Sequence, residues 1–231
     1  MWRAYVRLDP TVRVGMEALL AFAAALLSLR LSGRLAARWR ARRAPELAMW
    51  AASLLAYAIA SAALAWGSAG GWNDAAFRVY YLFGGLLTAP LLGAGSLLLQ
   101  RRRWVIPVIL VYVGLAVGVV IAEPLASPVS GDSIPEAQEH FDYVPARVLA
   151  LVGNISGTLA VLVVAILTIR RRPLSMSLIL GGLAVAAVGS ALAGLGAAQT
   201  AVFFAIAALL FYTGFTISSG KTRPPLPAQA R

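Results

Sequence analysis

Seven stretches of the chain are almost uninterruptedly apolar, at about 14–32, 47–67, 77–99, 104–122, 146–169, 174–196 and 200–218. Each comes close to the roughly 20 residues that a helix needs to cross a bilayer. None shows the ten-residue alternation of a membrane β-barrel strand. The pattern predicts an all-α membrane protein: one domain over 1–231, built as a bundle of seven transmembrane helices. Between the fourth and fifth runs, residues 123–145 form the one sizeable polar connection, and 219–231 form a polar tail.

Composition supports this reading. Hydrophobic residues make up 60% of the 231 and charged residues 13%, with a mean hydropathy of +0.80. A soluble domain carries about a quarter charged residues, so these charges are too few to coat a water-soluble globule. The same numbers exclude a disordered chain.

The position of the charges orients the bundle. Arg30, Arg34, Arg38, Arg40, Arg42 and Arg43 follow the first run, Arg101–Arg103 the third and Arg170–Arg172 the fifth, while Lys221, Arg223 and Arg231 lie in the tail. Glu46 is the single acid among them. The opposite connections hold Arg3, Arg7, Arg13, Arg78 and Arg147 beside eight acids. Because loops rich in Lys and Arg stay in the cytoplasm, the N-terminus is expected outside, the 123–145 loop outside and the C-terminal tail inside. The expected location is the cell (inner) membrane of a bacterium. Six arginines after the first run outweigh three before it, so that run is expected to be a true helix rather than a signal peptide. The arginines are expected to meet anionic membrane lipids, with no nucleic-acid partner. Arg38-Trp39-Arg40 suits an anchor at the headgroup level.

Several chemistries are excluded. Cysteine is absent, which removes disulfides and thiolate chemistry, and one histidine, His140, is too few for a bis-histidine haem. Lys221 lies beyond the last apolar run, so no lysine is placed for a retinal Schiff base. No nucleophile–base pair or paired inward carboxylates appear, so neither catalytic residues nor a cofactor or metal are expected.

Ionisable and amide groups at membrane depth are functional-site candidates, and here they gather toward one side. Glu17 lies about one turn into the first run. Arg78 opens the third with Tyr80 and Tyr81 behind it, Glu123 ends the fourth, Arg147 opens the fifth, and Asn154 and Thr158 continue that helical face. Gln199 and Thr200 fall between the last two runs. Glu17, Arg78, Tyr81, Glu123, Arg147 and Asn154 are expected to line an outward-facing polar cavity. In it the two glutamates and two arginines neutralise one another, and the 123–145 loop lies over it as a lid. Snorkelling to the interface is the competing reading for the charges at helix ends. Glu136, Glu139, His140 and Asp142 loosely resemble a cation site, but a solvated acidic loop accounts for them.

Glycines mark helix contacts. Gly84, Gly85, Gly93 and Gly95 flank Pro90, Gly153 and Gly157 are four apart, and Gly181, Gly182, Gly189, Gly194 and Gly196 fill the sixth run. Small residues let backbones approach in lipid, and Pro90 is expected to kink its helix.

The segments Phe77-Arg78-Val79-Tyr80-Tyr81-Leu82-Phe83-Gly84 to Pro90-Leu91-Leu92-Gly93-x-Gly95, and Arg147-Val148-Leu149 to Gly153-Asn154-x-x-Gly157-Thr158-Leu159, resemble an uncharacterised group of bacterial, actinobacterial-type seven-helix membrane proteins. The likeness runs from about residue 45 to 218. More loosely, the layout resembles the seven-helix sensor modules of bacterial histidine kinases. That resemblance implies a binding or sensory role, with signalling through a protein partner on the cytoplasmic face, because no kinase domain follows the last run. A small-solute or lipid transporter and an assembly subunit of a larger membrane complex are the alternatives. Against transport, the cytoplasmic halves of the runs read as apolar.

Overall fold

The computed structural model describes residues 10–131, 134–135, 140–141, 144–168, 174, 177–182, 184–185 and 200–217. The described residues fold into helices: α1 (Pro10–Arg42), α2 (Pro45–Gly70), α3 (Asp74–Leu99), α4 (Val105–Ala122), α5 (Val144–Thr168) and α6 (Thr200–Ile217). Helical backbone at 174, 177–182 and 184–185 belongs to the sixth apolar run. The rest of that run and the tail at 219–231 lie outside the described residues, as do Arg3, Arg7, Arg170–Arg172 and Gln199.

Five helices are long and apolar enough to cross a membrane: Ala18–Arg42 within α1, and α2, α3, α4 and α5. They mark the chain as an integral, multi-pass membrane protein. From α1 to α5 successive helices alternate in direction, as the contacts of Ser32 with Ala51, Ser53 with Thr88 and Tyr112 with Leu86 and Leu149 require. The bundle therefore has a loop end, carrying 71–73, 123–131 and 140–141, and an arginine end, carrying 43–44 and 100–104.

The ends of the helices have local causes. Pro45 opens α2, where a missing N–H costs nothing. Asn73 caps α3, its Oδ1 accepting from the Ala76 amide at 2.9 Å, and Asp74 follows in the first turn, where a carboxylate suits the helix dipole. The first helix departs most from its apolar run. It continues from the expected end near 32 to Arg42, so Arg34, Arg38, Arg40 and Arg42 ride on helix rather than loop. Arg, Ala and Leu are all good helix formers, and hydropathy measures where lipid ends, not where helix ends.

Both turns at the arginine end close on a left-handed residue. At the end of α1 the Arg43 amide bonds the Trp39 carbonyl at 2.7 Å, with Arg43 at φ 51. At the end of α3 the Arg101 amide bonds Leu98 O at 2.8 Å and the Arg102 amide bonds Leu97 O at 3.2 Å, with Arg101 at φ 62. These are helix caps in which glycine normally holds the left-handed position. An L side chain there costs about 1–2 kcal/mol.

Packing centres on α2 and α3. Small faces bring α1 onto α2, with Ala21, Ala24, Ala56 and Ala60 buried, and the Ser32 hydroxyl donates to Ala51 O at 2.7 Å. The crossing of α3 and α5 is backbone against backbone. A Cβ on Gly93 would meet Gly157 Cα and O at 2.6 Å, and one on Gly157 would strike the Ala89 carbonyl and Pro90 N. Helix α4 is peripheral and turns Val108, Leu110, Val111, Leu115 and Ile121 outward.

Midway, α3 is not α-helical: Tyr81–Leu87 form a π-helical segment. Pro90 explains why the register gives way here. Its ring nitrogen cannot donate to Leu86 O in α register or to Gly85 O in π register. Neighbouring side chains supply the missing donors. The Tyr112 hydroxyl on α4 reaches Leu86 O at 2.9 Å and Leu149 O at 3.2 Å. Asn154 Nδ2 on α5 donates to Gly85 O at 2.8 Å, and Thr88 Oγ1 donates to Phe83 O at 2.7 Å. Removing one such donor leaves a buried carbonyl short of a partner. Tyr112→Phe is therefore expected to lower stability by about 1 kcal/mol, read as a drop in the thermal unfolding midpoint in detergent. An unchanged midpoint would show that Leu86 O does not depend on α4.

Candidate functional site

At the loop end, the first two turns of α3 present Phe77, Arg78 and Tyr81 toward α4, α5 and the 123–141 loop. Phe77 is 1% exposed and Tyr81 9%. The Arg78 guanidinium donates to the main-chain carbonyls of Val120 and of Glu123, the latter at 2.8 Å. These carbonyls end α4 and lack helical partners, so Arg78 caps the negative end of that helix. Glu123 is itself buried, at 8% exposed. The Tyr81 hydroxyl donates to Ala146 O at 3.3 Å and lies within electrostatic reach of both Glu123 and Arg147.

The loop closes over this group. Phe141, 1% exposed, packs its ring 4.8 Å from Tyr81 and 5.3 Å from Phe77, measured between centroids, and the Arg78 guanidinium lies 6.0 Å from its centroid. Next to it, the His140 ring meets Phe77 edge-on at 5.3 Å, and its Nδ1 lies 2.9 Å from Ser127 Oγ. The Ala126 amide bonds His140 O at 2.9 Å, which ties the two ends of the loop together. Two further hydrogen bonds pin the loop to the α2–α3 turn. The Val129 amide donates to Asp74 Oδ1 at 2.8 Å, and the Trp72 amide donates to Gly131 O at 2.9 Å. Gly131 has φ 112, a conformation that disfavours any residue with a side chain.

Of the six residues singled out from sequence, Arg78, Tyr81 and Glu123 come together here. Arg147 stands beside them at the start of α5 with its side chain exposed. Asn154 lies seven residues further along α5, about 10 Å deeper, and its amide is engaged by the π segment. Glu17 is within α1, but its side chain lies outside the described residues. The expected neutralisation takes a different form for Arg78, whose guanidinium bonds to the Glu123 main-chain oxygen. Glu136, Glu139 and Asp142 are outside the described residues, and no metal-binding group of three appears among those that are described.

The aromatic members Phe77 and Phe141 were not among the six. Phe77, Tyr80 and Tyr81 stand at helical spacing, a visible signal. Phe141, an apolar residue between acids and prolines in a polar loop, carried a weaker one. Comparison with protein-family models, curated proteins and solved structures finds no match for this chain.

Proposed function

We propose that the protein is a seven-crossing sensor of the bacterial cell membrane, with its N-terminus outside and its C-terminus cytoplasmic. Its outward end binds a small molecule or lipid headgroup at Arg78, Tyr81, Glu123 and Arg147, and it signals through a protein partner. The observation that carries this reading is the lid. At one end of the bundle the buried Phe77 and Tyr81 and the half-buried Arg78 are covered on one side by loop residues, with Phe141 as the inner wall. Loop contacts of this kind open at lower cost than packed helices. Asn154, deeper in the bundle, would respond to that opening through the π segment.

Transport is less well supported. Among the described residues Glu123, at the loop end, is the one buried side chain that carries a carboxylate or a basic group; the other buried polar groups are serine hydroxyls and the polar ends of Tyr57, Trp72 and Tyr81. Ser32, Ser53 and Ser96 donate to the carbonyls of Ala51, Thr88 and Leu92, so they line no charged path to the arginine end.

Native mass spectrometry of the protein purified in mild detergent tests the binding reading. One non-protein molecule per chain is expected. Its occupancy should fall about tenfold in Arg78→Gln, a loss of about 1.4 kcal/mol, because that variant keeps a donor for the α4 carbonyls and loses the charge. Occupancy unaffected by Arg78→Gln would contradict it, as would solute uptake by proteoliposomes. The absence of native cysteine makes the orientation directly testable. In intact cells an impermeant maleimide should label Ser130→Cys, exposed in the loop, and spare Arg102→Cys; the reverse pattern would overturn the topology.

A further inference from the structure

The arginine end contains a feature that membrane orientation does not require. Among the described residues, Arg43 and Arg101 are the two non-glycine positions with positive φ, and they hold equivalent places in successive turns. Glycine would relieve both. A positive charge for orientation, or for the helix-end dipole, is already supplied by Arg40 and Arg42 in one turn and by Arg102 and Arg103 in the other. All six side chains are exposed. The strained positions therefore carry guanidinium groups for what those groups contact.

Depth indicates the contact. Helix α4 begins at Val105, immediately after Arg103 and Trp104, and Trp104 is 59% exposed. In the other turn Trp39 stands between Arg38 and Arg40. Indoles settle at the headgroup level, which places the two arginine turns beside lipid phosphates rather than far out in the aqueous phase. A guanidinium offers a planar pair of donors that matches two phosphate oxygens. Basic clusters at this depth attract anionic leaflets. We infer that the arginine end is a docking surface for acidic phospholipid headgroups, and that Arg43 and Arg101 are its positioned phosphate ligands, retained in left-handed caps at a cost in stability.

Thermal unfolding of the full chain in a neutral maltoside detergent, with added phosphatidylglycerol or phosphatidylcholine, tests this. Phosphatidylglycerol is expected to raise the wild-type midpoint several degrees above the phosphatidylcholine value. Arg43→Gly/Arg101→Gly should unfold without lipid at the wild-type midpoint or higher, yet lose at least half of the phosphatidylglycerol shift. Arg102→Gly/Arg103→Gly removes equal charge from positions with ordinary φ and should keep most of the shift. Equal losses in both double variants would overturn the assignment of Arg43 and Arg101, as would an undiminished shift in Arg43→Gly/Arg101→Gly. Inorganic phosphate reproducing the shift would point to a free-anion site instead. A phosphatidylglycerol response no larger than that of phosphatidylcholine would leave an acidic protein as the occupant and reject the lipid.

Discussion

Gly157→Val is expected to destabilise the protein by about 3 kcal/mol, at the upper end of what overpacking normally costs. The reason is what the new side chain meets. Its Cβ would strike the Ala89 carbonyl and lie 2.8 Å from Pro90 N, both backbone atoms of α3. Backbone cannot rotate aside as a side chain can, so the helices must separate. Separation would also pull Asn154 away from Gly85 O and Gly93 away from Gly157, so the loss reaches beyond one contact. In a chain of this length about 3 kcal/mol lowers the unfolding midpoint by about 6–12 °C. Gly118→Val is the control. Gly118 also sits in an apolar helix, but nothing lies within 4 Å of its added Cβ. Its midpoint should stay within about 2–4 °C of wild type, since valine is no worse a helix former than glycine. Equal effects at the two positions would mean that α3 and α5 do not meet through their glycines.

Phe141→Ala is the second large effect, and it should appear in a different place. Truncating a fully buried phenylalanine costs about 3–5 kcal/mol. Here the ring joins a loop to Phe77, Tyr81 and Arg78 rather than one helix to another. The penalty therefore falls on loop closure, while the α3–α5 crossing remains intact. About 3 kcal/mol raises the population of the open loop on the order of a hundredfold. Limited proteolysis within 123–141 should accelerate to a similar degree while the unfolding midpoint of the helices moves little. If the midpoint falls as far as in Gly157→Val and the loop is cut no faster, Phe141 belongs to the bundle core and the loop is not a separable lid.

The helices were legible because lipid imposes one requirement on every spanning segment: a run of apolar residues long enough to satisfy its own backbone. Thus 47–67 became Pro45–Gly70, 77–99 became Asp74–Leu99 and 104–122 became Val105–Ala122. The extension of α1 to Arg42 was not legible, because its arginines signal the membrane surface while still favouring helix. Pro90 flagged a break in α3. The form of the break depends on donors from Tyr112 and Asn154, which lie 26 and 69 residues from their acceptors in sequence, and no local pattern encodes such pairs. Within the candidate site the charged members were visible because charge is rare in an apolar run. The aromatic members were hidden because Phe and Tyr in such runs read as ordinary lipid-facing or core residues. The burial of Phe141 follows from the turn at Gly131 and the pin at Asp74, which only the folded chain brings together.

The proposed site opens at the loop end while the bundle stays folded. Hydrogen–deuterium exchange of the full chain in lipid nanodiscs measures this most directly. The amides of Val129 and Trp72, bonded to Asp74 and Gly131 O, are expected to exchange at least a hundredfold faster than helical amides of α3 and α5 around Gly93 and Gly157. That difference would mark local opening without unfolding. If the Val129 and Trp72 amides exchange only as slowly as those of the crossing, the loop is part of the rigid bundle and the proposed site has no entrance.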